Sequence, residues 1–160
     1  MSESKFTASR ITREFTHQVH APPEQVFPLL CPVREYDWIP TWECQLIYSA
    51  SGKAEDGCVF RTDVSDHGPA IWTVCRYEPP RRIQFVVTYP ASHVEKLEIE
   101  VSPVEEGRGS YLRWTRIYTG LNEEGNALLE QVAGTMLARR MERIGWMLDH
   151  YCRTGEMLRE

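Results

Sequence analysis

Between Cys44 and Thr119 the chain reads as six short extended segments broken by turn-forming residues, and no other feature constrains its fold as strongly. The segments are Cys44–Ser49, Cys58–Val64, Ile71–Tyr77, Arg82–Tyr89, Val94–Pro103 and Ser110–Thr119. Between them lie Ser51-Gly52-Lys53 through Gly57, Asp66-His67-Gly68-Pro69, Pro79-Pro80, Pro90-Ala91-Ser92 and Glu106-Gly107-Arg108-Gly109. Connections this short join antiparallel neighbours, because a parallel crossover needs a dozen or more residues. Upstream, Ile11, Phe15 and Val19 fall on one face of an alternating stretch, with Glu14, Thr16, Gln18 and His20 on the other. That pattern predicts a half-buried strand over Ile11–His20 and brings the expected count to seven.

The helical signals lie on either side of this meander. Ala21-Pro22-Pro23-Glu24 suits a helix start, since proline fits the first turn and an acidic residue favours the positive dipole end. Val26, Phe27 and Leu30 supply the apolar stripe, while Pro28 and Pro32 keep the helix short and make Val33–Asp37 a second brief one. A long helix is expected over Asn122–Arg153, with Asn122 as N-cap and Gly155 as terminator. At 100° per residue its apolar side carries Ala133, Leu137, Ala138, Met141, Ile144, Gly145, Leu148, Tyr151 and Cys152. That face has only the sheet to bury against, so the fold class is α+β.

The 160 residues predict one domain, 1–160. A net charge of −5 without a Lys/Arg block argues against nucleic acid or anionic lipid as partner. No stretch reads as a signal peptide or a bilayer span, which predicts a cytoplasmic protein. Five widely spaced cysteines without a C-x-x-C predict reduced thiols, read as small buried hydrophobes.

Val19-His20-Ala21-Pro22-Pro23-Glu24-Gln25-Val26-Phe27-Pro28-Leu29-Leu30 and the following Cys31 to Trp42, with the element order, resemble the START and birch-pollen-allergen (SRPBCC) superfamily. The resemblance is strongest to its bacterial polyketide cyclase/dehydrase branch. It implies a helix-grip fold: a seven-stranded curved antiparallel sheet, two short helices, and one long C-terminal helix over an apolar cavity. It also implies ligands among lipids, sterols, polyketides and hormones, with some members catalytic and some contacting proteins. No catalytic motif carries over residue by residue.

Five tryptophans are many for this length, and aromatic walls with few polar groups suit an apolar ligand; each could equally fill a core. Trp38 and Trp42, around Pro40, are expected near the mouth. Phe60 and Trp72, then Phe85, Tyr89, Leu97 and Ile99, are expected to line the cavity from successive strands. On the last strand Trp114, Arg116 and Tyr118 share a face with Leu112, and that face is read as inward; the other register is nearly as apolar. From the helix, Gly134, Leu137, Met141 and Gly145 complete the predicted binding set, the glycines leaving room either for a ligand or for close packing. Arg140 and Glu130, within or beside the apolar arc, must snorkel, pair or meet a ligand.

His17, facing inward with Phe15 and Val19, is either a general base or a satisfied core residue. His17 and His20 lie on opposite faces of a strand, so no metal is expected, nor any cofactor or assigned catalytic residue. The leading expectation is a binding module for a small apolar or amphipathic molecule. One alternative is a cyclase or dehydratase using His17, Tyr89, Arg116 or Tyr118, favoured if two or more converge within hydrogen-bond reach of one cavity point and disfavoured by an all-apolar lining. The other is a co-chaperone-like interaction module, for which Trp146 on the polar helix side is the hint.

Overall fold

The computed structural model describes residues 5–63, 67–104, 106 and 108–159. Val64, Asp66, Gly107 and the first four residues, all used in the sequence reading, lie outside them. The strands are β1 (Arg10–Val19), β2 (Gln45–Tyr48), β3 (Val59–Thr62), β4 (Ala70–Glu78), β5 (Arg82–Tyr89), β6 (His93–Val104) and β7 (Gly109–Gly120). They form a seven-stranded sheet in the order β1-β7-β6-β5-β4-β3-β2, with every pair antiparallel. The meander from β2 to β7 runs neighbour to neighbour as its short turns require. β1 closes the far side by pairing along β7 from Arg10↔Thr119 to Val19↔Ser110.

Period-two alternation decides which side chains reach the interior. On β6 the buried set is His93, Glu95, Leu97, Ile99 and Val101; on β7 it includes Leu112, Trp114 and Tyr118. β4 interrupts its own alternation. The register slips between Val74 and Arg76, so Ala70 and Val74 are buried before the bulge and Tyr77 rather than Arg76 turns inward after it. Tyr77 meets Phe27 at 5.6 Å between ring centroids. The same bulge leaves Cys75 exposed, so the expectation of uniformly buried cysteines fails there; Cys31 and Cys58 are buried, and Cys44 and Cys152 half-buried.

The first helix, α1 (Pro23–Val26), is a single turn continued as a 3-10 turn over Phe27–Leu30. The expected second short helix is a 3-10 turn, Glu35–Asp37. The C-terminal segment is two helices: α2 (Glu123–Val132) and the long α3 (Thr135–Thr154). Asn122 caps α2 by accepting from the Gly125 N–H at 2.7 Å, and Gly155, at φ +73°, ends α3. The break falls at Gly134, which N-caps α3 with an extended backbone; a Cβ there would lie 2.7 Å from the Glu130 carbonyl oxygen. Residues summed into one 32-residue arc therefore belong to two axes, and Ala138 and Glu130, both placed on the apolar side by that projection, are exposed. α3 packs its Leu137, Met141, Gly145, Met147 and Leu148 side inward, with its main strand contacts on β1. Sheet, short helices and α3 together make the helix-grip arrangement.

Candidate functional site

A cavity of about 740 Å³ lies between the sheet, the 31–44 loop and the C-terminal helices. One part of its wall is aromatic. Trp72 stands at its centre, 6.2 Å from Trp42 and 5.5 Å from Phe85, both edge to face. Phe60 stacks on Trp72 at 5.2 Å but lies behind it, 1% exposed and outside the lining. The indole N–H groups on this side are tied down: Trp38 donates to the Leu29 carbonyl, Trp42 to that of Pro32 and Trp72 to Thr62 Oγ1, all within 2.9 Å. Trp38 borders the cavity yet is 1% exposed, so it is inner wall where a mouth residue was expected.

The remaining wall is polar at its inner surface. Leu97 and Ile99 line the cavity from β6, and the same face brings Glu95 and His93 into it. Leu97 sits opposite Arg116 and Glu95 opposite Tyr118 in the β6–β7 register, which sets the Arg116 guanidinium diagonally onto Glu95. Arg116 Nη1 donates to Glu95 Oε2 at 2.5 Å, an ion pair with only 11% and 4% of its side chains exposed. Burial works against the Arg116 charge, but Glu95 and Tyr118 outweigh it and keep the guanidinium protonated. Burial, followed by the charge of Glu95, pushes the Tyr118 phenol well up, so it holds its proton.

Glu35, from the Glu35–Asp37 turn, borders the same cavity. Desolvation raises its carboxyl to about 8 despite the opposing pull of Arg116. At neutral pH it is a carboxylic acid, able to donate. His93 is stacked on Tyr89 at 4.4 Å and linked through Nδ1 to Ser92 Oγ at 2.7 Å. Burial, with His67 nearby, lowers its pKa to about 4, so the ring is neutral.

Of the sequence-predicted set, Trp38, Trp42, Trp72, Phe85, Tyr89, Leu97 and Ile99 border the cavity, as do Trp114, Arg116, Tyr118 and Leu137. Four do not. Phe60 backs Trp72, Met141 lies beneath with its sulfur 3.4 Å from Arg116 Nη2, and Gly134 forms the helix break. Gly145 is packed shut: a Cβ there would lie 2.5–2.8 Å from the His17 ring. His17 is thus a helix-packing residue, edge-on to Trp114 at 5.9 Å, with its pKa lowered by burial and partly restored by the Met141 backbone. Arg140 snorkels, exposed at the cavity's edge with Met136. Missed were Glu35, Glu95 and His93. The last two were legible as the continuation of the Leu97–Ile99 face, whereas Glu35 sits in a 3-10 turn that leaves no periodic trace. Among the described residues, no three His, Cys, Asp or Glu side chains group as a metal would need, and no helix is long and apolar enough to cross a membrane.

The family model for polyketide cyclase/dehydrase and lipid transport proteins matches residues 10–146. The chain belongs to that family. Among solved structures similar to this polyketide cyclase/dehydrase and lipid transport family member is the ZhuI aromatase/cyclase from Streptomyces sp. R1128, at 16% identity and TM-score 0.67, covering 94% of this chain and 100% of that one. CalU16 from Micromonospora echinospora follows at 20% identity and TM-score 0.60, covering 92% and 82%. An uncharacterised protein from Rhizobium leguminosarum matches at 13% identity and TM-score 0.62, covering 90% and 97%. These likenesses are of fold. No curated protein sequence matches the chain.

Proposed function

We propose that the chain binds a small, largely apolar or amphipathic molecule in the cavity between sheet and C-terminal helices. The observation that carries this reading is a space of about 740 Å³ whose wall combines aromatic and aliphatic side chains with charged and polar ones, among them Glu35, Glu95, Arg116, Arg140 and Arg143, as an amphipathic ligand requires. A space this size suits a fatty acyl chain or a fused-ring aromatic, and the family description, which includes lipid transport, accords with such a ligand. Trp42 and Trp72 border the space, so an occupant should alter their emission. A panel of apolar fluorescent probes and long-chain fatty acids should give saturable binding at micromolar concentration with a change in tryptophan fluorescence. Native mass spectrometry of freshly purified protein should show a co-purified small molecule. Absence of any saturable signal across the panel would count against the cavity as a binding site and favour an interaction module using exposed Trp146.

A second reading, cyclisation or dehydration of a polyketide-like compound, draws support from Arg116 and Tyr118, hydrogen-bonded to each other in the cavity wall that Tyr89 also borders. Tyr118, protonated at neutral pH, could give a proton to a ligand oxygen, and Arg116 could steady an enolate. His17, the other acid/base candidate from the sequence, lies against Gly145 outside the lining and takes no part.

A further inference from the structure

Two residues of the cavity wall, Trp114 and Arg116, hold buried hydrogen-bond donors that no described residue accepts from. Arg116 gives Nη1 to Glu95, sets Nη2 against the Met141 sulfur, a weak acceptor, and is hydrogen-bonded to Tyr118. Among the described residues its buried Nε has no acceptor, nor has the buried Nε1 of Trp114 two residues away on the same strand face. Glu35 borders the same space with no hydrogen-bond partner for its carboxyl among the described residues, and Arg116 acts on it through charge. Buried donors without acceptors are costly, and native structures leave few of them. An acceptor-rich group brought by a ligand would answer that deficit.

We propose that Arg116 and Glu35 form the recognition point for a carboxylate, or an equally acidic oxygen, at one end of an otherwise apolar ligand. This rests on the cavity-binding reading above and narrows its ligand class. The Arg116–Glu95 pair is neutral as a unit and Arg140, Arg143 and Arg159 also line the cavity, so an arriving anion is favoured, the more so if the other acid nearby holds its proton. Glu35 does so at neutral pH, and its O–H becomes a second donor aimed at the ligand oxygen. Leu97 and Ile99 line the cavity from the same strand face as Glu95, and the pair is largely withdrawn from water, which strengthens a charge-assisted bond made there. A neutral alcohol gains less, and an ammonium group meets the Arg116 charge.

Calorimetric titration with 2-naphthoate, 2-naphthalenemethanol and 2-naphthylmethylammonium at pH 7 tests this, because the three share one apolar body. Naphthoate should bind about tenfold or more tighter than the alcohol, with the ammonium weakest. Glu35→Leu, and separately the paired Glu95→Gln/Arg116→Gln, which removes both charges together, should reduce that preference several-fold while alcohol binding persists. Glu35→Gln, which keeps a donor, should retain most of it. Equal binding of naphthoate and alcohol by the unaltered protein overturns the inference and leaves the cavity-binding reading standing. So does a preference that survives both Glu35→Leu and the paired variant. Failure of all three compounds to bind overturns both. The comparison within the unaltered protein needs no variant to fold, and the two variants act on different elements.

Discussion

Arg116 on β7 and Glu95 on β6 show what it takes to hold two charges in a cavity wall. The guanidinium and carboxylate are withdrawn from water on the cavity wall, so their pairing offsets a desolvation cost that neither could bear alone. Replacing Arg116 by Gln alone should destabilise the fold by about 3–5 kcal/mol, because Glu95 is left charged and without its partner. Converting Glu95 to Gln as well should recover most of the loss. Chemical denaturation of the two single variants and the pair checks this, and equal loss in the single and double variants would contradict it.

The helices show how an apparently continuous element is assembled from separate constraints. Gly134 divides the C-terminal segment because a Cβ would crowd the Glu130 carbonyl, and α3 then lies close enough for Gly145 to face the His17 ring across β1. A methyl at residue 145 must displace that ring, which is itself set against Trp114. Gly145→Ala should therefore destabilise by about 1–3 kcal/mol even though alanine is the better helix former. Adding His17→Ala should make the glycine replacement nearly harmless. A double-mutant cycle by thermal or urea denaturation measures the coupling, and additive losses would mean that the two residues are not packed against each other.

For the whole molecule, the buried titratable groups predict a shape for stability against pH. Glu35 has a folded pKa of about 8 against an ordinary value of 4.5, so from about 4.5 to 8 the native state holds a proton that the unfolded chain has released. Its contribution is complete below that window, falls as pH rises through it and is fully lost above. His93 acts at the acid side: its folded value of about 4 lies below the ordinary 6.5, so its contribution is present above 6.5 and is lost as pH falls toward 4. His17, also lowered, adds in the same direction. Glu35→Gln should leave the acid side unchanged and be increasingly more stable than the parent as pH rises from 5 to 9. Melting temperatures of both proteins across that range decide it; parallel curves would mean that Glu35 ionises normally in the fold.

What the sequence determined by itself was the order and pairing of elements. Short turns between alternating segments permit only consecutive antiparallel neighbours, and alternation on β6 and β7 selects the face carrying Leu97, Ile99, Trp114, Arg116 and Tyr118 without knowledge of distant contacts. The helix-grip arrangement was legible for that reason. Its local irregularities were not: the Val74–Arg76 bulge and the break at Gly134 arise where backbone groups from other turns or strands must be accommodated, and periodicity averages over both. The site was partly legible for the same reason. Whether Gly145 opens onto a cavity or closes on His17 depends on the distance between a helix and a strand more than a hundred residues apart in the chain. Glu35 holds its proton because the 31–44 loop brings it to the cavity wall, where desolvation outweighs the charge of Arg116, and desolvation is a property of the surroundings that no residue carries in its own identity.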